Sequence, residues 1–252
     1  MPSFELRYFS GALQVSTAAN IILPSPDLKG PFHVMFLLHG LSDDHTIWSR
    51  RTSIERYVEG LPLIVVMPNG GRGFYCDAVQ GFAYETALAE ELPAIIEGYF
   101  PTKLPWCATG LSMGGYGAAK LALKYPERFK SGHSQSGALL FGRVTLEGPG
   151  SDEAFRRDVE PEFRRILGEI PLGGPNDLVA IAQKQEASGR AALRIDCGTE
   201  DFLLEDNRKF RNHLREIGFE HEYEEFSGSH EWGYWDEHVQ EAIAFHRKNL
   251  GF

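Results

Sequence analysis

An α/β architecture is what the sequence predicts for this 252-residue chain: a mainly parallel sheet with helices on both faces, behind an N-terminal antiparallel hairpin. Three observations carry the prediction. Phe32 to Leu38 and Leu63 to Met67 are continuous apolar runs, which suit strands covered on both faces. Each ends in a turn signal, His39-Gly40 and Pro68-Asn69-Gly70. Helix-periodic segments then alternate with further short runs to the end of the chain, as in βαβ units.

Taken in order, Phe4 to Ser10 sets Phe4, Leu6 and Tyr8 against Glu5 and Arg7. A Ser10-Gly11 turn and a second alternating run from Leu13 towards Leu23 complete the hairpin. Pro24, Pro26 and Pro31 mark a loop, and a short helix is expected around Ser53 to Val58. Tyr84 to Phe100 carries Ala87, Leu88, Leu92, Ile95 and Ile96 at helical spacing, with a kink or early boundary predicted at Pro93. A strand at Trp106-Cys107-Ala108-Thr109 leads into a helix that should stop at Tyr125-Pro126, and Phe129 to Ser136 is the next strand.

Residues 142–190 interrupt the alternation. They hold the charged stretch Asp152 to Gly168, with Phe155, Val159, Phe163, Ile166 and Leu167 on one helical face, and a capped helix from Leu178 to Glu186 after Asp177. A helical insertion at this edge of a sheet is read as a lid in preference to a plain solvated excursion. Ala192 to Gly198, Glu205 to Ile217, Glu222 to Phe226 and Trp235 to Leu250 then read as strand, helix, strand and helix. The whole of 1–252 reads as one domain, without repeat or linker.

With 25 basic against 35 acidic residues and a net charge of −10, the surface disfavours nucleic acid and anionic membranes. Cys76, Cys107 and Cys197 are odd in number and widely spaced, as in a reducing compartment. No leader pattern opens the chain and no apolar run approaches the ~20 residues of a membrane span. A cytoplasmic protein is expected, and a homo-oligomer is neither required nor excluded.

The chemistry begins at Gly110-Leu111-Ser112-Met113-Gly114. A strand, a glycine-crowded turn and a helix carrying Gly-x-Ser-x-Gly form the nucleophile-elbow pattern of α/β-hydrolases. A chain with 27 glycines can meet that pattern by chance, so its weight depends on a base, an acid and an oxyanion hole in the right order. A serine hydroxyl is a poor nucleophile at neutral pH and needs an imidazole aligned by an acid. Beyond the elbow, His213, His238 and His246 fall in predicted helices and His221 precedes a strand. His230, in Ser227-Gly228-Ser229-His230-Glu231-Trp232, follows a strand in a glycine loop and is the candidate base. The acid should follow the preceding strand. Asp201 is favoured, with Glu200 one residue away as its rival, and a carboxylate here would also serve simply as a helix cap. The amides of Met113 and of Leu41, in His39-Gly40-Leu41-Ser42, are the candidate oxyanion donors.

These motifs resemble the esterase D branch of the α/β-hydrolases, which holds S-formylglutathione hydrolases, tributyrin-type esterases, and feruloyl and acetylxylan esterases. The resemblance runs through nearly the whole chain. It rests on Leu37-Leu38-His39-Gly40 with Trp48 downstream, Met67-Pro68-Asn69-Gly70, Gly110-Leu111-Ser112-Met113-Gly114-Gly115, Gly198-Thr199-Glu200-Asp201 and Gly228-Ser229-His230-Glu231-Trp232. It implies a triad of Ser112, Asp201 and His230, with oxyanion donors at Leu41 and Met113. The compact length looks more like the tributyrin-type and acetyl esterases than the longer S-formylglutathione hydrolases.

Trp48, Phe74, Tyr75 and Trp232 are candidates to line the substrate pocket. Asp43-Asp44-His45 has metal-ligand residue types, but three adjacent residues converge on one ion with difficulty, and a solvated loop is preferred. Gly70-Gly71-Arg72-Gly73 is too short for a phosphate loop. The expected protein is a serine carboxylesterase for short or small acyl esters, with a small-molecule ester as its partner and no metal or cofactor. The alternatives are a thioesterase for S-formylglutathione, a feruloyl or acetylxylan esterase, an acyltransferase and a non-catalytic binding protein of hydrolase fold.

Overall fold

The computed structural model describes residues 1–143, 159–169 and 171–252. Phe155, expected on the apolar face of the insertion, lies outside the described residues. Strands β1 (Ser3–Ser10) and β2 (Val15–Ile22) form the antiparallel hairpin, in register from Ser3 with Ile22 to Ser10 with Val15. The parallel strands are β3 (His33–Leu38), β4 (Leu63–Pro68), β5 (Trp106–Leu111), β6 (Phe129–Gln135), β7 (Ala192–Gly198) and β8 (His221–Phe226). Together they make an eight-stranded sheet in the order β1-β2-β4-β3-β5-β6-β7-β8.

Period-two alternation explains why β3 and β4 are apolar throughout. Val34, Phe36, Ile64 and Val66 enter one core, and Met35, Leu37, Leu63, Val65 and Met67 enter the other. The second core is closed by α1 (Ile47–Arg51), α2 (Ile54–Tyr57) and the C-terminal helix. The sequence predicts a kink or an early boundary at Pro93, and a boundary is found there: the helix α3 runs Tyr84–Thr86, widens into a π turn over Ala87–Glu91 and restarts at Leu92–Tyr99. Pro93 thereby falls in a first helical turn, where its missing N–H costs nothing. Then come α4 (Met113–Lys124), α5 (Glu160–Leu167), α6 (Leu178–Lys184), α7 (Leu204–Glu216) and α8 (Trp232–Leu250). The Asp177 carboxylate caps α6, accepting from the N–H groups of Val179 and Ala180.

Helix α5 of the insertion is docked on the loop after β4. Arg72 grips Glu162, Val79 N–H donates to Ile166 O at 3.1 Å, and Phe163 packs edge-on against Phe74 with centroids 5.1 Å apart. A buried lysine ties the same region to α4. Lys120 Nζ, 1% exposed, sits 2.6 Å from the Glu85 carboxylate and 2.6 Å from Asn176 Oδ1. Burial alone would raise Glu85, but Lys120 and Lys124 outweigh it and hold the carboxyl below its usual range. Lys120→Met removes one of the two ammonium partners of that carboxylate, leaving Lys124, and unpairs the buried Asn176 Oδ1. A loss of about 3 kcal/mol is therefore expected. At this chain length that corresponds to a thermal midpoint lower by roughly 6–12 °C in calorimetry.

Two buried histidines give the fold a pH dependence. His246 accepts or donates at both ring nitrogens, 2.6 Å from Thr109 Oγ1 and 2.7 Å from Ser131 Oγ, and His39 lies under the end of β3. Burial pushes both below the ordinary value of 6.5. The unfolded chain regains that value, so below it the unfolded state binds protons that the native state refuses. Stability is thus complete above the unfolded pKa and falls as the pH drops beneath it. Urea midpoints at about pH 8 and pH 5.5 should differ, with the lower one at pH 5.5, where carboxylates still titrate little. Equal midpoints would refute the assignment.

Candidate active site

The order β4-β3-β5 makes the junction of β3 and β5 a switch point, where successive crossovers leave in opposite directions. Loops diverge there and leave a crevice at the carboxyl ends of the strands. Leu38 and Gly110 are register partners across this junction, so the loops that follow them start side by side. One is His39-Gly40-Leu41, and the other is the elbow.

Ser112 has φ 53° and ψ −115°, a strained conformation for a residue with a side chain. It is held by Ser112 N–H donating to Gln135 O at 2.9 Å and by Ala138 N–H donating to Ser112 O at 3.1 Å. The flanking glycines are required by contact. A Cβ on Gly110 would lie 2.3 Å from Gly114 backbone atoms, and one on Gly114 would lie 2.3 Å from Leu38 O. Met113 opens α4, so its N–H belongs to the electropositive end of that helix.

The loop carrying Leu41 is pinned from behind. Hydrogen bonding defines the tautomer of His39: Nε2 accepts from Gly70 N–H at 2.8 Å, which leaves Nδ1–H to donate to Gly40 O at 2.7 Å. Tyr75 Oη donates to His39 O at 3.0 Å. A Cβ on Gly40 would sit 2.6 Å from Leu111 Cδ1, so any larger residue there would have to displace the Leu111 side chain.

His230 follows β8 in a loop that ends at α8. Its Nδ1 lies 2.8 Å from Asp201 Oδ2, and the Asp201 side chain is fully buried. Burial would raise the Asp201 carboxyl, but bonds from His230 and from Leu203 N–H to Oδ1 at 2.8 Å prevail and hold it low. A charged Asp201 accepts from Nδ1–H and leaves Nε2 of His230 able to take a proton. Helix α7, with Leu203 at its N-cap, has no side-chain cap; Asp201 meets the imidazole and braces the turn before that helix through Leu203 N–H. Its rival Glu200 points elsewhere: Oε2 accepts from Gly228 N–H at 2.6 Å, which ties down the histidine loop.

Gly40, Leu41, Leu111, Ser112 and His230 line one cleft of about 390 Å³, together with Asp43, Arg51, Glu231, Trp232 and Trp235. Of the four aromatic candidates, Trp232 lines it. Trp48, Phe74 and Tyr75 are not among its lining residues and are 1%, 4% and 2% exposed. These rings found partners inside: Phe74, in the loop after β4, stacks on Phe141 with centroids 3.7 Å apart, and Trp48, in α1, donates through Nε1 to Leu38 O at 3.0 Å. The three side chains of Asp43-Asp44-His45 diverge. Asp43 faces the cleft, Asp44 accepts from Thr46, and His45 meets Glu5 at 2.9 Å.

Sequence reasoning missed several site residues. Asp43 looked like loop solvation, and burial with the neighbouring Asp44 raises its carboxyl. Phe202 is 76% exposed yet lies 4.5 Å from the His230 ring, centroid to centroid. Its position beside Asp201 was the available signal. Trp235 could have been found from its i+3 spacing to Trp232 on a helix.

Comparison with known proteins follows the same line. The family model described as "Putative esterase" matches residues 10–246. An acetyl esterase of Caldicellulosiruptor saccharolyticus is 28% identical, the alignment covering 98% of this chain and 99% of that protein. Among solved structures, substrate-bound FphF of Staphylococcus aureus, a fluorophosphonate-binding serine hydrolase, superposes with a TM-score of 0.84 at 28% identity, covering 97% of each chain. The S-formylglutathione hydrolase FrmB of Staphylococcus aureus gives 0.82 at 28% identity, covering 97% of this chain and 98% of that one. The chain belongs to the esterase family, on an α/β-hydrolase fold.

Proposed function

We propose that the protein is a serine carboxylesterase acting on short-chain or small acyl esters through an acyl-enzyme. The observation that carries the reading is one cleft lined by both Ser112 and His230, with Asp201 2.8 Å behind the imidazole. Ser112 Oγ attacks the ester carbonyl as His230 Nε2 takes its proton. The carbonyl oxygen gains negative charge beside the amides of Leu41 and Met113, on a loop and a helix end already fixed in position. His230 returns the proton to the departing alcohol, and water releases the acid by the same route. Asp201 keeps the imidazole in the accepting tautomer. The scheme uses no metal or cofactor.

The likeness to an S-formylglutathione hydrolase favours a second reading, in which the leaving group is a thiol. Transfer of the acyl group to an alcohol shares every step but the last. A kinetic panel of acetyl, butyryl, feruloyl and S-formylglutathione substrates separates the leaving groups. Product partition between water and an added alcohol separates hydrolysis from transfer. No turnover of any of them by folded protein would leave only the binding-protein reading.

Among the described residues no helix is long and apolar enough to cross a membrane. Three unpaired, buried cysteines support a cytoplasmic location, and the acidic surface supports the absence of nucleic-acid and membrane partners. We read 1–252 as one domain, with the insertion as a lid.

A further inference from the structure

Three rings that line the cleft and a fourth buried behind them stand at right angles in succession. His230 meets Trp235 with centroids 4.9 Å apart and planes at 90°. Trp235 meets Trp232 at 5.3 Å and 87°, and Trp232 meets Trp48 at 5.4 Å and 86°. The ladder ends in a hydrogen bond, Trp48 Nε1 to Leu38 O at 3.0 Å. Leu38 is the last residue of β3, three positions before Leu41. The rungs come from distant elements, α1 and the first turn of α8, so only the folded chain assembles them.

Edge-to-face contact directs the positive rim of one ring at the negative face of the next, which fixes orientation as well as distance. The arrangement also has a cost. Trp235 Nε1 is buried without a hydrogen-bond partner among the described residues. An indole is a poor choice for a site that asks only for apolar bulk, because its N–H wants an acceptor. Its place between two perpendicular rings fixes its orientation.

We infer that Trp48, Trp232 and Trp235 are positioning residues that hold the His230 imidazole at a fixed distance and angle from the oxyanion loop. The inference rests on the serine-esterase reading above. Asp201 fixes Nδ1 of the imidazole but leaves the ring free to swing about that bond. The ladder supplies a second constraint, and it refers the ring to the strand that carries Leu41. Base and oxyanion donor act on the same tetrahedral centre, so their separation affects the transition state more than substrate binding. Trp48 does not line the cleft, and any effect it has on His230 therefore has to pass through the other rings.

The test is a double-mutant cycle on p-nitrophenyl acetate. Trp48→Phe keeps a ring but loses the bond to Leu38 O, and Trp232→Leu removes the middle rung. Each should lower kcat about tenfold with KM changed less than about threefold. The double variant should be no more than about threefold slower than the worse single, because either change already uncouples the two ends. Trp232→Phe, which retains an edge-to-face ring, should recover most of the lost kcat. Thermal melts accompany each variant, and if Trp48→Phe fails to fold, the contrast between Trp232→Leu and Trp232→Phe decides. A rise in KM with kcat intact, or losses that multiply in the double variant, would overturn the inference and leave Trp232 a simple substrate contact. Failure of a fluorophosphonate to label wild-type protein at Ser112 is a separate result. It would remove the serine-esterase reading, and the ladder's role with it.

Discussion

Ser112→Ala is expected to lower kcat for short acyl esters by about 10⁴-fold or more. The cleft and the oxyanion loop survive the change, so some acceleration over water should remain, but without the acyl-enzyme. Alanine keeps the Cβ of serine at φ 53°, and the bonds to Gln135 O and from Ala138 N–H involve backbone only. Stability should therefore change little, which separates a chemical loss from unfolding. Stoichiometric labelling by a fluorophosphonate should disappear with the hydroxyl. Labelling that persists in Ser112→Ala would sink the assignment of the nucleophile.

Asp201→Asn should cost about as much, roughly 10⁴-fold in kcat, although it exchanges atoms of nearly equal size. The physical reason is the tautomer. An amide nitrogen facing Nδ1 donates where the carboxylate accepted, which moves the ring proton to Nε2 and leaves no lone pair for the Ser112 proton. Glu200→Gln is the control. Its amide oxygen can still accept from Gly228 N–H, now found at 2.6 Å from Glu200 Oε2, so a loss of less than about tenfold is expected. Steady-state kinetics of the two variants at one pH decide the matter. If Glu200→Gln proves the more damaging, the acid is Glu200 and the role given to Asp201 is wrong.

The contrast between these neighbours also marks how far the sequence could be read. Chain order and strand ends singled out Asp201 and His230, because in this architecture reactive groups collect where strands give way to loops. Nothing in the spelling Thr199-Glu200-Asp201 says which carboxylate turns inward. That follows from the turn after β7, which buries the Asp201 side chain and directs Glu200 to the histidine loop. The aromatic candidates divided for a similar reason. Trp48, Phe74 and Tyr75 sit beside the elbow in the fold, but rings that large pay for their place by burial, and they support the site from behind. Trp232 starts α8 three residues earlier than its periodicity suggests, where its ring packs between Trp48 and Trp235.

By itself the sequence determined the class of fold, the hairpin, the strand-turn-helix of the elbow and the order of the candidate reactive groups. Those depend on local rules: period two for strands covered on both faces, glycine where backbones touch, and turn residues at strand ends. Tertiary structure alone decided the partners. Which carboxylate meets the imidazole, how His39 and Tyr75 pin the His39-Gly40-Leu41 loop, and how Trp48 reaches His230 through two other indoles all depend on distances between segments far apart in the chain. Close packing sets such distances, and no single segment contains them.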